Sequence, residues 1–233
     1  VECCVPWWNF KTGKGTLNMN EIIERVVTHG TFSLDGGTWE VDNNVWIIGD
    51  DQRVTIIDPA HDIDKIATKV AGRTVEKILL THAHDDHIRS AQEAAERFKA
   101  SVYLNPEDRV LWEMVYPSWD FDEPLHDGQK ISAGNIELHV IATPGHSPGS
   151  VCFYAPELSW ENSEGVLFSG DTLFKGGPGA TGRSYSDFDT IIDSIESKLL
   201  TLPESTAVLT GHGDSTGIGV EAPDLDAWKK RGH

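Results

Sequence analysis

A chain of 233 residues with 39% hydrophobic and 24% charged residues is long enough to bury a full core and too apolar for disorder. Its formal net charge of −18, from 19 basic against 37 acidic residues, argues against nucleic-acid and anionic-membrane partners, which a polyanion repels. No run approaches the roughly 18 apolar residues of a membrane span, and three cysteines, Cys3, Cys4 and Cys152, build no disulfide framework and fit a reducing cytoplasm.

Residues 1–20 lack the basic start and long apolar segment of a secretory signal. They read as an N-terminal arm, either mobile and outside the core or docking Trp7, Trp8 and Phe10 on a neighbouring subunit or over an active-site mouth. Residues 21–233 read as a single domain. From Glu24 the pattern is strand, turn, strand: β-rich runs at Thr31–Leu34, Val45–Ile48 and Val54–Asp58 flank turn clusters at Asp35-Gly36-Gly37 and Gly49-Asp50-Asp51. Ile63–Val70 has helical periodicity and stops near Gly72, and Val75–Leu80 is a continuous apolar run suited to a strand buried on both faces. Ile88–Lys99 reads as an amphipathic helix, Val102–Leu104 as a strand, and Pro106–Tyr116 as a helix. An aromatic connection through Trp119 and Phe121 then leads to Gly128. Further strands are expected at Ile136–Ala142, Val151–Tyr154, Val166–Phe168 and Val208–Thr210. A long helix over Asp187–Leu200 carries Ile191, Ile192, Ile195 and Leu199 on one face. Two groups of strands with intervening helices imply a layered α/β sandwich.

The most informative stretch is Thr81-His82-Ala83-His84-Asp85-Asp86-His87, at the end of a buried strand and the start of a helix. Imidazole nitrogen and carboxylate oxygen suit borderline divalent metals, and no cysteine lies near. In extended backbone His82 and His84 project to one side and can meet on one ion, while Asp86 and His87 can address a second position. Partners stand at three other strand ends, each beside glycine: Gly145-His146, Gly170-Asp171 and Gly211-His212.

The order HxHxDH, then His, Asp and His, resembles the metallo-β-lactamase superfamily. Thr143-Pro144-Gly145-His146-Ser147 and Gly170-Asp171-Thr172-Leu173-Phe174 are most similar to its glyoxalase II-like metallohydrolases. The resemblance implies a four-layer αββα sandwich. It implies that His82, His84 and His146 hold one metal, that Asp86, His87 and His212 hold a second, and that Asp171 bridges them. Asp85, within the motif, is not expected to be a ligand. His29, His61, His126, His139 and His233 match nothing in the pattern and are expected at the surface or as satisfied core residues.

Two adjacent cations lower the pKa of water toward about 7 and polarise a carbonyl, so no Ser or Cys nucleophile is needed. Cys152 accordingly reads as a small core residue. The expected reaction is attack of a metal-bound hydroxide on a small thioester, conjugated to a low-molecular-weight thiol, or on a related carbonyl ester. Asp86 would be catalytic, anchoring the second metal and orienting the attacking oxygen. The expected cofactors are two divalent ions, zinc foremost with iron or manganese as alternatives. In the loop Gly176–Phe188, Arg183 and Tyr185 either bind the polar end of the substrate, or Arg183 simply pairs with a surface carboxylate. Trp112, Tyr116, Trp119 and Phe121 either wall a pocket or pack in the core. Because fold does not dictate reaction, three alternatives stand. They are a mononuclear iron persulfide dioxygenase (using His82, His146 and Asp171), a lactonase or β-lactamase, and a non-enzymatic metal-binding sensor. The expected partner is a small molecule, with neither nucleic acid nor membrane; a homo-oligomer is left open.

Overall fold

The computed structural model describes residues 22–232; the expected N-terminal arm and His233 lie outside them. Two six-stranded sheets form the centre of the molecule. The first runs β1 (Ile22–Leu34), β2 (Gly37–Gly49), β3 (Arg53–Ile57), β4 (Thr74–Leu79), β5 (Ser101–Leu104) and β6 (Glu123–Pro124), in that spatial order. The second is built from β7 (Lys130–Ala133), β8 (Ile136–Ala142), β9 (Val151–Ala155) and β10 (Val166–Gly170). After a two-stranded ribbon, β11 (Leu173–Phe174) with β12 (Gly177–Pro178), it is completed by β13 (Ala207–Thr210) and β14 (Thr216–Gly217). Its spatial order is β14-β13-β10-β9-β8-β7.

Alternation along the strands decides what each face buries. Trp46 and Ile48 of β2, Ile57 of β3 and Leu79 of β4 point between the sheets, where they meet Leu138, Val140, Phe153, Phe168 and Leu209. The opposite faces carry the helices. On the first sheet, Ile47, Ile56 and Ile78 pack against α1 (Ile63–Val70) and α3 (Ala91–Phe98), and α2 (Asp85–Ile88) and α4 (Arg109–Val115) lie on the same side. On the second, Cys152, Leu167 and Val208 pack against α5 (Phe188–Ser194) and the π-turn Ile195–Leu199 that extends it. Trp228 of α7 (Leu225–Arg231), which follows α6 (Ile218–Glu221), joins them. Helix, sheet, sheet, helix is the αββα sandwich.

The structure differs from the sequence reading in three respects. β1 and β2 pair along their whole 13-residue lengths, from Ile22↔Gly49 to Leu34↔Gly37. The sequence marks only Thr31–Leu34 and Val45–Ile48, because the stretches between are polar and partly exposed. The expected helix Ile88–Lys99 is α3, Ala91–Phe98, and Ile88 instead ends α2: the Ser90 N–H donates to the Pro59 and Ala60 carbonyls at 3.1 and 3.0 Å, away from the preceding turn. The short strands β6, β7, β11, β12 and β14 and the helices α6 and α7 lie outside the sequence reading, each too short for its pattern to stand out. Trp112, Tyr116, Trp119 and Phe121 pack on one another and on the first sheet's helix layer. None of them walls the cavity described next.

Candidate metal centre

The expected ligands follow the carboxyl ends of four strands, β4, β8, β10 and β13, at one edge of the sandwich. The edge is tied across the sheets by β2. The Asn44 N–H donates to the Gly211 carbonyl at 2.7 Å, and the Asn44 side chain and Trp46 Nε1 donate to the Thr210 carbonyl at 3.1 and 3.0 Å. Gly211 is required here, since a Cβ at this position would collide with the Asp171 carboxylate and the His87 ring.

All seven expected ligands come together. His82, His84 and His146 form one group of converging donor atoms, and Asp86, His87 and His212 form another. Within the first, His84 Nδ1 lies 3.1 Å from His82 Nε2 and 2.9 Å from His146 Nε2. Within the second, His212 Nε2 lies 3.1 Å from His87 Nε2 and 3.3 Å from Asp86 Oδ2. Asp171 stands between them: Oδ1 is 3.2 Å from His87 Nε2, and Oδ2 is 3.3 Å from His212 Nε2 and 3.6 Å from His146 Nε2.

The far side of each ring shows why these nitrogens face inward with lone pairs. His146 Nδ1 donates to the Ala180 carbonyl at 2.8 Å and His212 Nδ1 to the Asp42 carbonyl at 2.7 Å. His87 Nδ1 donates to Asp58 Oδ2 at 3.0 Å. The Thr81 hydroxyl donates to the same Asp58 oxygen at 2.6 Å, so its lone pair accepts from His82 Nδ1 at 3.0 Å. Four rings thus place the proton on Nδ1 and offer Nε2 to the centre. Lone pairs this close repel one another unless a cation lies among them, so the donor set fits bound divalent metal.

Charge divides the site. Burial drives His82 far below the ordinary imidazole range, takes His84 to about 3 and lowers His146, so these rings are neutral. Burial acts the same way on His212, but the Asp171 charge and hydrogen bond outweigh it and raise the ring to about 10; His87 is raised too. Burial would raise Asp86, yet the charge on His87 and the hydrogen bond from His212 hold it at about 2. Asp171 and Asp86 therefore demand positive charge, which protons on His87 and His212 or divalent cations supply.

Three buried polar residues that the sequence reading missed hold this geometry. Asp58 accepts from the Thr81 N–H at 2.7 Å as well as from Thr81 Oγ1 and His87. It belongs to another converging group, with His82 and His87, but its oxygens are already engaged by these donors, so it orients ligands. Asp108, fully buried, accepts from the Ala83 N–H at 2.8 Å, from Ser147 Oγ at 2.7 Å and from the Gly149 N–H, joining the His82–His84 turn to the His146 loop. Asn43 Nδ2 donates to Asp86 Oδ2 at 2.8 Å. Asp85, not expected to be a ligand, accepts from the Ser33 N–H at 2.9 Å and from Arg89, pinning the β1–β2 hairpin. Cys152 is buried and burial pushes its thiol up to about 11, as befits a core residue.

A cavity of about 150 Å³ opens onto both groups, lined by His84, Asp86, His146, Asp171 and His212 and walled by Phe32, Val41, Ala180, Arg183 and Ser186. Tyr185 does not line it and is 46% exposed.

The profile of the metallo-β-lactamase superfamily matches residues 38–212, and the chain belongs to that superfamily. It is 36% identical over 193 residues to the probable metallo-hydrolase YqgX of Bacillus subtilis, covering 77% of this chain and 88% of that protein. It is 30% identical over 194 residues to the hydroxyacylglutathione hydrolase GloC of Haemophilus influenzae, covering 76% and 89%. Among solved structures, TTHA1623 in a di-iron-bound form superposes with a TM-score of 0.67 at 31% identity, covering 84% of this chain and 97% of that one. Among the described residues, no helix is long and apolar enough to cross a membrane.

Proposed function

We propose that this chain is a two-metal hydrolase that cleaves small thioesters. The carrying observation is the Asp171 carboxylate, which lies between two separate groups of donor atoms. One ion would sit on His82, His84 and His146, the other on Asp86, His87 and His212, with Asp171 shared. Such ions supply Lewis acidity and make a bound water acidic near neutral pH. Zinc suits nitrogen- and oxygen-rich donors; the di-iron form of TTHA1623 makes iron the chief competitor.

The chain's own residues do the rest. Asp86 lines the cavity and is fixed by Asn43, so it can orient the attacking oxygen beside the second ion. Asp58, Thr81, Ala180 and the Asp42 carbonyl keep four imidazoles in one tautomer, which fixes where substrate and water meet. Phe32 and Val41 give the cavity an apolar wall beside the donor groups. Likeness to GloC supports a thioester substrate.

The test is thiol release from a thioester panel by protein purified without added metal, followed with a thiol-reactive dye, with metal content measured on the same sample. Thiol release with two ions per chain supports the proposal. Absence of release across the panel, or one iron per chain with sulfide-dependent oxygen uptake, contradicts it.

A further inference from the structure

Of the groups that orient the imidazoles, the Ala180 carbonyl has the least support of its own. Asp58 and Thr81 are buried just beyond β3 and β4, and Asp42 belongs to the 13-residue strand β2. Ala180 is exposed and follows β12, half of a ribbon with two residue pairs, Leu173↔Pro178 and Phe174↔Gly177. A ribbon this short is not stable alone. Its placement is nonetheless exacting. A Cβ on Gly179 would stand 1.8 Å from the Asp171 carbonyl oxygen and 3.4 Å from His146 Nδ1. The end of the ribbon therefore lies against Asp171 and against the ring that Ala180 orients.

The support comes from residues that follow the last expected ligand. Glu221 of α6, only 2% exposed, accepts from the Gly176 N–H at 2.9 Å through Oε2 and from the Thr216 hydroxyl through Oε1. Trp228 of α7 packs in one cluster with Leu173 of β11, and its Nε1 would stand 3.2 Å from a Cβ on Gly177. Both helices are anchored in turn. The Ile218 and Gly219 N–H groups donate to the Thr206 and Glu204 carbonyls at 3.0 Å, and Lys229 pairs with Glu196 at 2.7 Å. Gly176 itself is exposed, so water can satisfy its N–H without help from an acid. Burying a carboxylate is unfavourable unless it is hydrogen-bonded, and what this charge-assisted bond adds is a fixed position for the ribbon's turn.

We infer that α6 and α7 brace the candidate metal centre from outside the cavity, with Glu221 as a positioning residue. By holding the Gly176 turn, Glu221 keeps the Ala180 carbonyl on His146 Nδ1 and thereby keeps His146 Nε2 turned toward His82 and His84. Without it, water competes for Nδ1 at an exposed rim and the ring is free to turn. The other group of donors is spared, because His212 is oriented by the Asp42 carbonyl on β2 and His87 by Asp58. This rests on the two-metal reading above for the ion, though not for the hydrogen bond.

The experiment compares wild type, Glu221→Ala and Glu221→Gln, each with and without zinc. Nitrogen-labelled histidine reports the Nδ1 protons of His146 and His212 by NMR, assigned by their loss in His146→Ala and His212→Ala. In Glu221→Ala the His146 proton should exchange with water roughly tenfold faster, while the His212 proton stays within about threefold of wild type. In competition with a chromophoric chelator, one zinc ion should bind about tenfold more weakly, the same ion that His146→Ala loses. Glu221→Gln should restore both readouts. Its oxygen still accepts from Gly176, and its amide donates to the Thr216 hydroxyl, which turns to accept. An unchanged His146 proton in Glu221→Ala, equal acceleration at both rings, or no restoration by Gln overturns the inference. Should the alanine variant not fold, Glu221→Asp, which withdraws the carboxylate by one methylene, carries the same test with about threefold faster exchange at His146 alone. Zinc binding unchanged in His146→Ala would remove the two-metal reading, and proton exchange without zinc would then decide the role of Glu221.

Discussion

Replacing Asp58 by Asn changes one oxygen for an amino group and reaches both donor groups of the candidate metal centre. Asp58 Oδ1 accepts the Thr81 N–H at 2.7 Å, while Oδ2 accepts the Thr81 hydroxyl at 2.6 Å and His87 Nδ1 at 3.0 Å. The backbone donor cannot turn, so the Asn oxygen must face it and the amino group takes the Oδ2 position. That group is a donor pointing at two donors. The Thr81 hydroxyl can rotate to accept from it, but then donates toward His82 Nδ1, which must give up its proton to Nε2. His87 is driven the same way, and two rings then turn an N–H toward the positions the proposed ions would take. Loss of such an orienting partner costs about 10–100-fold in metal affinity. Because two ligands invert together, the upper end, near 3 kcal/mol, is expected. Competition of apo protein with a chromophoric zinc chelator measures this directly, and Asp58→Asn should bind at least 30-fold more weakly, taken as roughly midway in that range. Affinity within threefold of wild type would refute the tautomer argument.

The other expectations need less machinery. Asp86→Ala should abolish thiol release while far-ultraviolet circular dichroism stays near wild type, since the Asp86 carboxylate lines the cavity and its partners are the Asn43 amide and imidazole rings, not the backbone of a strand or helix. Asp108→Ala leaves the Ala83 and Gly149 N–H groups buried without an acceptor and should cost about 2–5 kcal/mol in urea denaturation. Burial raises the Asp108 carboxyl from 3.8 to about 6, so the folded state holds its proton longer than the unfolded chain. Its contribution to stability is therefore greatest near pH 4 and declines as pH rises through 6, by roughly 3 kcal/mol at most at about 1.4 kcal/mol per pH unit. The stability of wild type minus that of Asp108→Asn, measured in apo protein, should fall over that window; a difference that grows with pH contradicts the sign. Cys152, buried with its thiol at about 11, should resist alkylation at pH 8 in native protein and react after unfolding, as peptide mass spectrometry will show.

The residues brought to the site were legible because each announces itself locally. His82, His84, Asp86 and His87 are packed into one turn, and His146, Asp171 and His212 each stand beside a glycine at a strand end. Asp58 and Asp108 announce nothing. Each is a lone acid whose partners lie 23 or more residues away, at Thr81, His87, Ala83, Ser147 and Gly149, so their roles exist only once the sheets have brought those loops together. The strands of the two central sheets with apolar faces were readable from alternation. The β1–β2 hairpin was not, because its middle exposes Arg25, His29, Glu40 and Asp42, and only its length explains how Phe32 and Val41 reach the cavity. For Arg183 the sequence leaves pairing with a surface carboxylate open; the structure stacks it on Phe32 and Trp39 instead.

The most direct test of the central claim is metal stoichiometry by plasma mass spectrometry, on wild type and on the Asp86→Ala and His212→Ala variants, each purified without added metal. A two-ion centre predicts two equivalents in wild type and a fall toward one in each variant, with the ion on His82, His84 and His146 retained. One equivalent in wild type, unchanged by either substitution, would contradict it.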